Sequence, residues 1–179
     1  MLAAMKRVSD KYGVEFFDAS VVKLSPQDSA VMAYYSRLDS SLGVNKNYFN
    51  AAKMDAAYDR CVASGWHPGR GNYSGLEATA AHEAGHAITD AIGQRMTNDK
   101  VGGLDVAADS IMRMASERTG KSVATLRRGV SGYAKQSNSE AVAEAFADVY
   151  CNGSKASSSS RAIVSALDSH FFGEDVPQF

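Results

Sequence analysis

An α+β domain is the fold class this sequence predicts, a small twisted sheet packed on one long helix with a helical C-terminal part, and three observations carry that expectation. β-Branched and aromatic residues gather in the first third of the chain, within 14–22, 31–35 and 42–49. From residue 74 onward the pattern changes to capping residues, alanine-rich stretches and apolar positions three and four apart, which is helical. The chain has 179 residues, 45% of them hydrophobic, enough to bury one core. Neither a repeat nor a long linker divides it, so residues 1–179 read as a single domain.

Along the chain, Leu2, Met5 and Val8 recur at three-residue spacing and the run stops at Gly13, which suits a short helix ended by glycine. Residues 14–22 and 31–35 are expected as strands, separated by the turn-prone Ser25-Pro26-Gln27-Asp28, and residues 42–49 as a third. Asn50 resembles an N-cap for a helix over 51–64 that Gly65 stops, and Trp66-His67-Pro68-Gly69 begins a loop. Ser74 followed three residues later by Glu77 is a capping box, in which each side chain accepts the other residue's backbone N–H. It opens a helix expected over 75–92. Leu76, Ala80, Ala84, Ala87, Ile88 and Ala91 would face the core, and Gly93 would end the helix. Further helices are expected over 106–118, 122–128 and 140–151, the last closed by Asn152-Gly153. The four serines at 157–160 read as a small loop, and 163–172 as a terminal helix.

Nineteen basic residues against twenty acidic ones leave no cationic excess to draw the protein onto nucleic acid or a membrane surface. Cys61 and Cys151 are too few for a disulfide-stapled scaffold; a reduced compartment fits, with a single bridge left open. The N-terminus lacks the continuous apolar stretch of a signal peptide, and no run approaches a membrane-spanning length. A soluble, cytoplasmic protein is expected, export requiring another route or an upstream segment.

The chemistry concentrates in His82-Glu83-Ala84-Gly85-His86, an H-E-x-x-H arrangement. Four residues at about 100° each bring the second imidazole to within about 40° of the first, one turn along the helix. Both rings can then reach one ion. A catalytic zinc site takes three protein ligands and keeps a fourth position for water, whose pKa falls to about 7. Glu83 is rotated one residue from His82, so it can approach that water without entering the coordination sphere, as a general base should. Two histidines on a helix can also occur by chance, but this helix is well capped and holds half of the chain's four histidines.

A third ligand is expected from a second helix. Glu140, Glu144 and Asp148 share one face at four-residue steps and repel one another unless a cation is near. A solvated acidic face would explain them too, yet alanines at 141, 143, 145 and 147, with Val142, Phe146 and Val149, leave little other polar surface. The helix therefore looks enclosed, and buried carboxylates need partners. Glu140 is assigned as the ligand, and Glu144, one turn deeper, as the acceptor of a histidine ring N–H. His67, beside Pro68, either lines the cleft or is simply exposed, the commoner state of a loop histidine. His170 stands alone.

These residues carry a resemblance. His82 to His86, then Ser131-Gly132-Tyr133-Ala134, then Ser139-Glu140-Ala141-Val142-Ala143-Glu144-Ala145-Phe146-Ala147-Asp148, resemble the anthrax lethal factor-like zinc metallopeptidase domains, also found at the C-termini of phage minor head proteins and of bacterial polymorphic toxins. The likeness is specific over residues 65–153. In that family the zinc glutamate opens an E-x-x-A-E-A-F segment, which falls on Glu140, and a catalytic tyrosine lies seven residues earlier, which falls on Tyr133. The chain departs from lethal factor in its small Ala84, Ala141 and Val142, where bulkier apolar residues occur, and in lacking the toxin's other domains. The resemblance implies a zincin-like fold of the gluzincin type, a zinc cofactor, and hydrolysis of a peptide or protein laid along a sheet edge. Tyr133 would stabilise the oxyanion or protonate the leaving amine. It also implies a phage head or toxin fusion partner, with delivery by the particle or toxin as the alternative to a cytoplasmic location. The competing reading is a phage head- or toxin-associated module that binds zinc with little or no peptidase activity; an intact Glu83, useless to a purely structural site, argues against it.

Overall fold

A computed structural model describes residues 2–15, 18–99 and 103–173, and among them it is α+β, with seven α-helices and one three-stranded mixed sheet. Helix α1 (Leu2–Tyr12) buries Met5 and Val8 and ends at Gly13, whose φ of 63° is a left-handed conformation that glycine adopts without strain. Phe16 and Phe17 of the expected first strand, and the Leu2 side chain, lie outside the described residues. Strand β1 (Asp18–Val22) pairs in parallel with β3 (Ser41–Asn45), and β2 (Ala33–Ser36) pairs antiparallel with β3 through a hairpin. The order β1-β3-β2 leaves β2 as an edge strand.

Strand β3 buries Leu42 and Val44 on one face against Met5, Ala33, Met54 and Ala80, and from Leu42 to Asn45 it is buried on both faces. It stops four residues earlier than the expected 42–49. Asn45 accepts the Asn47 N–H at 3.0 Å and donates to the Val31 carbonyl at 2.8 Å, so its side chain caps a short 3-10 turn, Lys46–Tyr48. On the other face, Tyr34 of β2 covers Gly43 so closely that a Cβ there would meet its ring at 2.3 Å.

Helix α2 (Ala51–Ala63) is capped by Asn50, and α3 (Gly75–Thr97) carries the Ser74/Glu77 capping box. Helix α3 is the axis of the molecule: the sheet, α1 and α2 pack on it, as do α4 (Gly103–Thr119) and α6 (Asn138–Asn152), while α7 (Ser158–Phe172) closes over α4 and α6. It is buried on nearly all sides, not along a single stripe. It also runs past Gly93 to Asn98, which takes the left-handed capping conformation. Gly93 is a contact point instead of a stop: a Cβ there would lie 2.2 Å from the Gly103 backbone, so the two glycines let α3 and α4 touch.

Helix α5 (Val123–Arg128) matches the expected 122–128 to within one residue, Ser122 serving as its N-cap. The serine run is helical, contrary to the expected loop. Ser157 is an N-cap that accepts the Ser160 N–H at 3.0 Å, and its own N–H donates to Asp148 at 3.0 Å. Among the described residues no helix is long and apolar enough to cross a membrane.

Candidate metal centre

His82 and His86 lie one turn apart on α3 with ring centroids 4.9 Å from each other. They face α6 because that helix can come very close. Gly85 sits between them, and a Cβ there would be 2.8 Å from the Ala143 Cα and 3.1 Å from the Phe146 Cβ. Small residues at this crossing set α6 against α3, and the Ser137 cap, whose hydroxyl accepts the Glu140 N–H at 3.0 Å, fixes the first turn of α6. Glu140 thereby meets both imidazoles.

Glu140 Oε2 lies 3.2 Å from His82 Nε2 and 3.4 Å from His86 Nε2, and one ligating atom from each residue falls within 4.8 Å of the others. That carboxylate oxygen is buried with no hydrogen bond of good geometry, the two ring nitrogens standing at ion-pair distance from it. Three electron-pair donors thus converge on shared space without bonding one another, an arrangement that a cation between them would stabilise.

Behind the pair, Glu144 is 1% exposed and saturated with donors. His82 Nδ1 lies 2.8 Å and His67 Nδ1 3.0 Å from Glu144 Oε1, and the Ser131 hydroxyl donates to Oε2 at 2.8 Å. Burial opposes this charge, but the His67 and His82 contacts outweigh it and bring the carboxyl down to about 2. An ionised carboxylate only accepts, so both imidazoles carry their proton on Nδ1 towards Glu144. In His82 that leaves Nε2 facing Glu140 and His86. Burial acts against the charged His82 imidazolium too; Glu140, Glu144 and Glu83 together prevail and raise its pKa well above the ordinary value. For Glu140, burial is likewise overcome by His82 and His86, and its pKa is lowered.

Tyr133 stands over the site, its ring stacked on His82 at 5.8 Å and edge-on to His67 at 5.5 Å. Burial, with the charges of Glu140 and Glu83, pushes the phenol's pKa up, so it stays a proton donor. Its backbone is pinned: Gly132 N–H donates to the Gly65 carbonyl at 2.7 Å, Tyr133 N–H to the Trp66 carbonyl at 2.9 Å, and Ala134 N–H to Ser131 Oγ at 3.0 Å. Tyr133, His82, Glu83, His86 and Glu140 line one cavity of about 280 Å³, whose far wall is Val31, Ala33, Tyr34, Tyr35 and Arg37 around β2.

The structure therefore brings together all six residues singled out in the sequence: His82, Glu83, His86, Tyr133, Glu140 and Glu144. Asp148, third in the acidic stripe, is elsewhere, accepting from Asn152 at 2.9 Å and from the Ser157 N–H. His67, left between cleft and exposure, is part-buried, stacked on Tyr58 at 5.3 Å and bonded to Glu144. Ser131 joins the site as well, through its bond to Glu144. Neither residue had a periodic signal, since their contacts to Glu144 span 77 and 13 positions. His170 pairs with Ser110 at 3.3 Å, among α4 and α7 and not among the site residues. Cys61 and Cys151 are free thiols. Comparison with protein-family models, curated proteins and solved structures finds no match.

Proposed function

We propose that this chain is a zinc-dependent endopeptidase of the gluzincin type, with a zincin-like fold, His82, His86 and Glu140 holding the metal and Glu83 as general base. The observation that carries the reading is the buried, unbonded Glu140 Oε2 set against two imidazole Nε2 atoms in a cavity that Glu83 and Tyr133 share. Two nitrogens and one carboxylate oxygen suit zinc, and the backing of His82 by Glu144 supports it, because a carboxylate behind the ring fixes the tautomer that leaves Nε2 for the metal.

When bound, zinc would supply Lewis-acid polarisation of the scissile carbonyl and acidify a water molecule. The protein's own groups account for the remaining work. Glu83 accepts the proton from the attacking water and carries it to the leaving nitrogen. The Tyr133 hydroxyl donates to the oxygen on which charge develops, a role that its raised pKa suits. Beside them, the edge strand β2 offers unpaired backbone groups to an extended substrate, which favours a peptide over a compact ligand.

Metal content and cleavage of a peptide library by wild type and Glu83→Gln test the reading together. The expected result is one zinc per chain in both proteins, with hydrolysis reduced at least about 100-fold in the variant, the scale of a lost general base. Equal turnover in both would remove Glu83 from the mechanism. A folded wild type that neither contains nor takes up zinc would end the proposal.

A further inference from the structure

We propose that His67 is a positioning residue of the metal centre, holding the Glu144 carboxylate against His82 and the Tyr133 ring over the site. The inference rests on the metallopeptidase reading above and deepens it with a residue that the zinc ligands and the base do not include.

Its basis is geometric. Glu144 Oε1 receives two ring N–H groups, from His82 at 2.8 Å and from His67 at 3.0 Å, while Ser131 holds Oε2. Donors from three separate elements therefore fix a carboxylate that is almost wholly removed from water. His67 is itself located from two sides, its face stacked on Tyr58 of α2 and its edge against Tyr133. Its loop is also the template for the tyrosine's loop: Gly65 and Trp66 accept the backbone N–H groups of Gly132 and Tyr133, and Trp66 packs on Tyr133 at 5.4 Å. A Cβ at Gly132 would come within 3.0 Å of both the Gly65 carbonyl and the Trp66 ring, so the two loops lie in close contact. With His67 removed, Glu144 keeps Ser131 and His82 but loses the donor that opposes a swing of Oε1 away from the metal-ligand ring. His82 then presents Nε2 with less constraint, and Tyr133 loses one wall.

Packing on Tyr58 alone would also explain a histidine here, and substitutions separate the two roles. His67→Phe keeps a ring for Tyr58 and Tyr133 but has no donor. His67→Asn loses the ring but retains an N–H near the Nδ1 position. Chelator competition on the full chain should show His67→Phe releasing zinc with about 10-fold weaker affinity, and His67→Asn recovering most of that loss, as expected for an acceptor behind a metal ligand. Turnover should follow the same order, through kcat and not KM. Equal zinc affinity in wild type and His67→Phe overturns the proposal, as does a loss in His67→Asn as large as in His67→Phe. If wild type binds no zinc, the metal reading fails separately, and the positioning role is read from the metal-free protein. There the His82 Nδ1 proton should resonate far downfield and exchange slowly in wild type and His67→Asn, and exchange quickly in His67→Phe. An identical His82 proton in all three overturns it.

Discussion

The two glutamates of α6 differ in what they touch, and this decides how their substitutions should fail. Glu140 faces both imidazole Nε2 atoms with a buried oxygen that nothing else satisfies, whereas Glu144 meets His82 at its rear nitrogen and turns its remaining capacity to His67 and Ser131. Glu140→Ala should therefore abolish zinc retention. Glu144→Ala should lower affinity by about 10- to 100-fold while the helix remains folded. Zinc release against chelator concentration ranks the two directly, and greater loss from Glu144→Ala would move the ligand by one turn and detach Tyr133 from its assignment. A further consequence follows from His82, where Glu140, Glu144 and Glu83 outweigh burial and shift the metal-free ring towards its protonated form. Zinc must displace that proton, so affinity should rise with pH and binding should release about one proton. Calorimetry in buffers of different ionisation enthalpy measures it; a buffer-independent heat would contradict the prediction.

At the level of elements, the site depends on how closely α3 and α6 approach. Gly85→Ala adds a methyl 2.8 Å from the Ala143 backbone, which must move α6. Such overpacking costs about 1–3 kcal/mol, against a helix-propensity gain of about 1 kcal/mol. A net loss of stability is expected, together with weaker zinc retention as Glu140 recedes. Thermal melts and chelator competition on the same sample test both parts, and a more stable variant with unchanged zinc affinity would show the crossing to be looser than described. The sequence made this site readable where its logic is local. The histidine spacing, the Ser74/Glu77 box and the four-residue acidic steps are relations within single helices. What it hid were meetings between elements. Gly93 looks like a helix stop until Gly103 is seen against it, and the serines at 157–160 look like a loop until Asp148 accepts the Ser157 N–H. Strand β3 ended early because the Asn45 side chain bonds across to Val31 as well as capping the following turn. His67 and Ser131, both in loops, became site residues only through Glu144 of α6.

For the whole molecule, the main core runs up to the candidate metal centre through Ala84, Ala87, Ala141 and Ala145, but most of it is apolar packing that needs no ion, formed by Ile88, Ile92, Ile111, Met112, Val142, Phe146, Ile163 and Leu167 among others. Metal-free protein should accordingly keep its helices and unfold cooperatively, unlike domains too small to fold without zinc. Zinc at a thousand times its Kd adds about 4.1 kcal/mol, roughly 8–16 °C in Tm at about 2–4 °C per kcal/mol for a chain of this size. The pH dependence has a definite sign. Glu144 is depressed from 4.5 to about 2, so its contribution is complete above about pH 4.5 and disappears as pH falls towards 2. His82 is raised, so its contribution is complete below 6.5 and is lost as pH climbs through its higher folded value. The two belong to one coupled cluster and count once. Metal-free protein should thus be most stable between about pH 4.5 and 6.5 with respect to this cluster, weakening on both sides. Zinc replaces the His82 proton, so saturating metal should move the optimum above this window and leave the acid limb nearly unchanged, because protons there displace the ion. Melting temperatures across pH, with and without zinc, give the two curves. Curves that stay parallel down to acid pH would show that the ion is bound somewhere other than His82, His86 and Glu140.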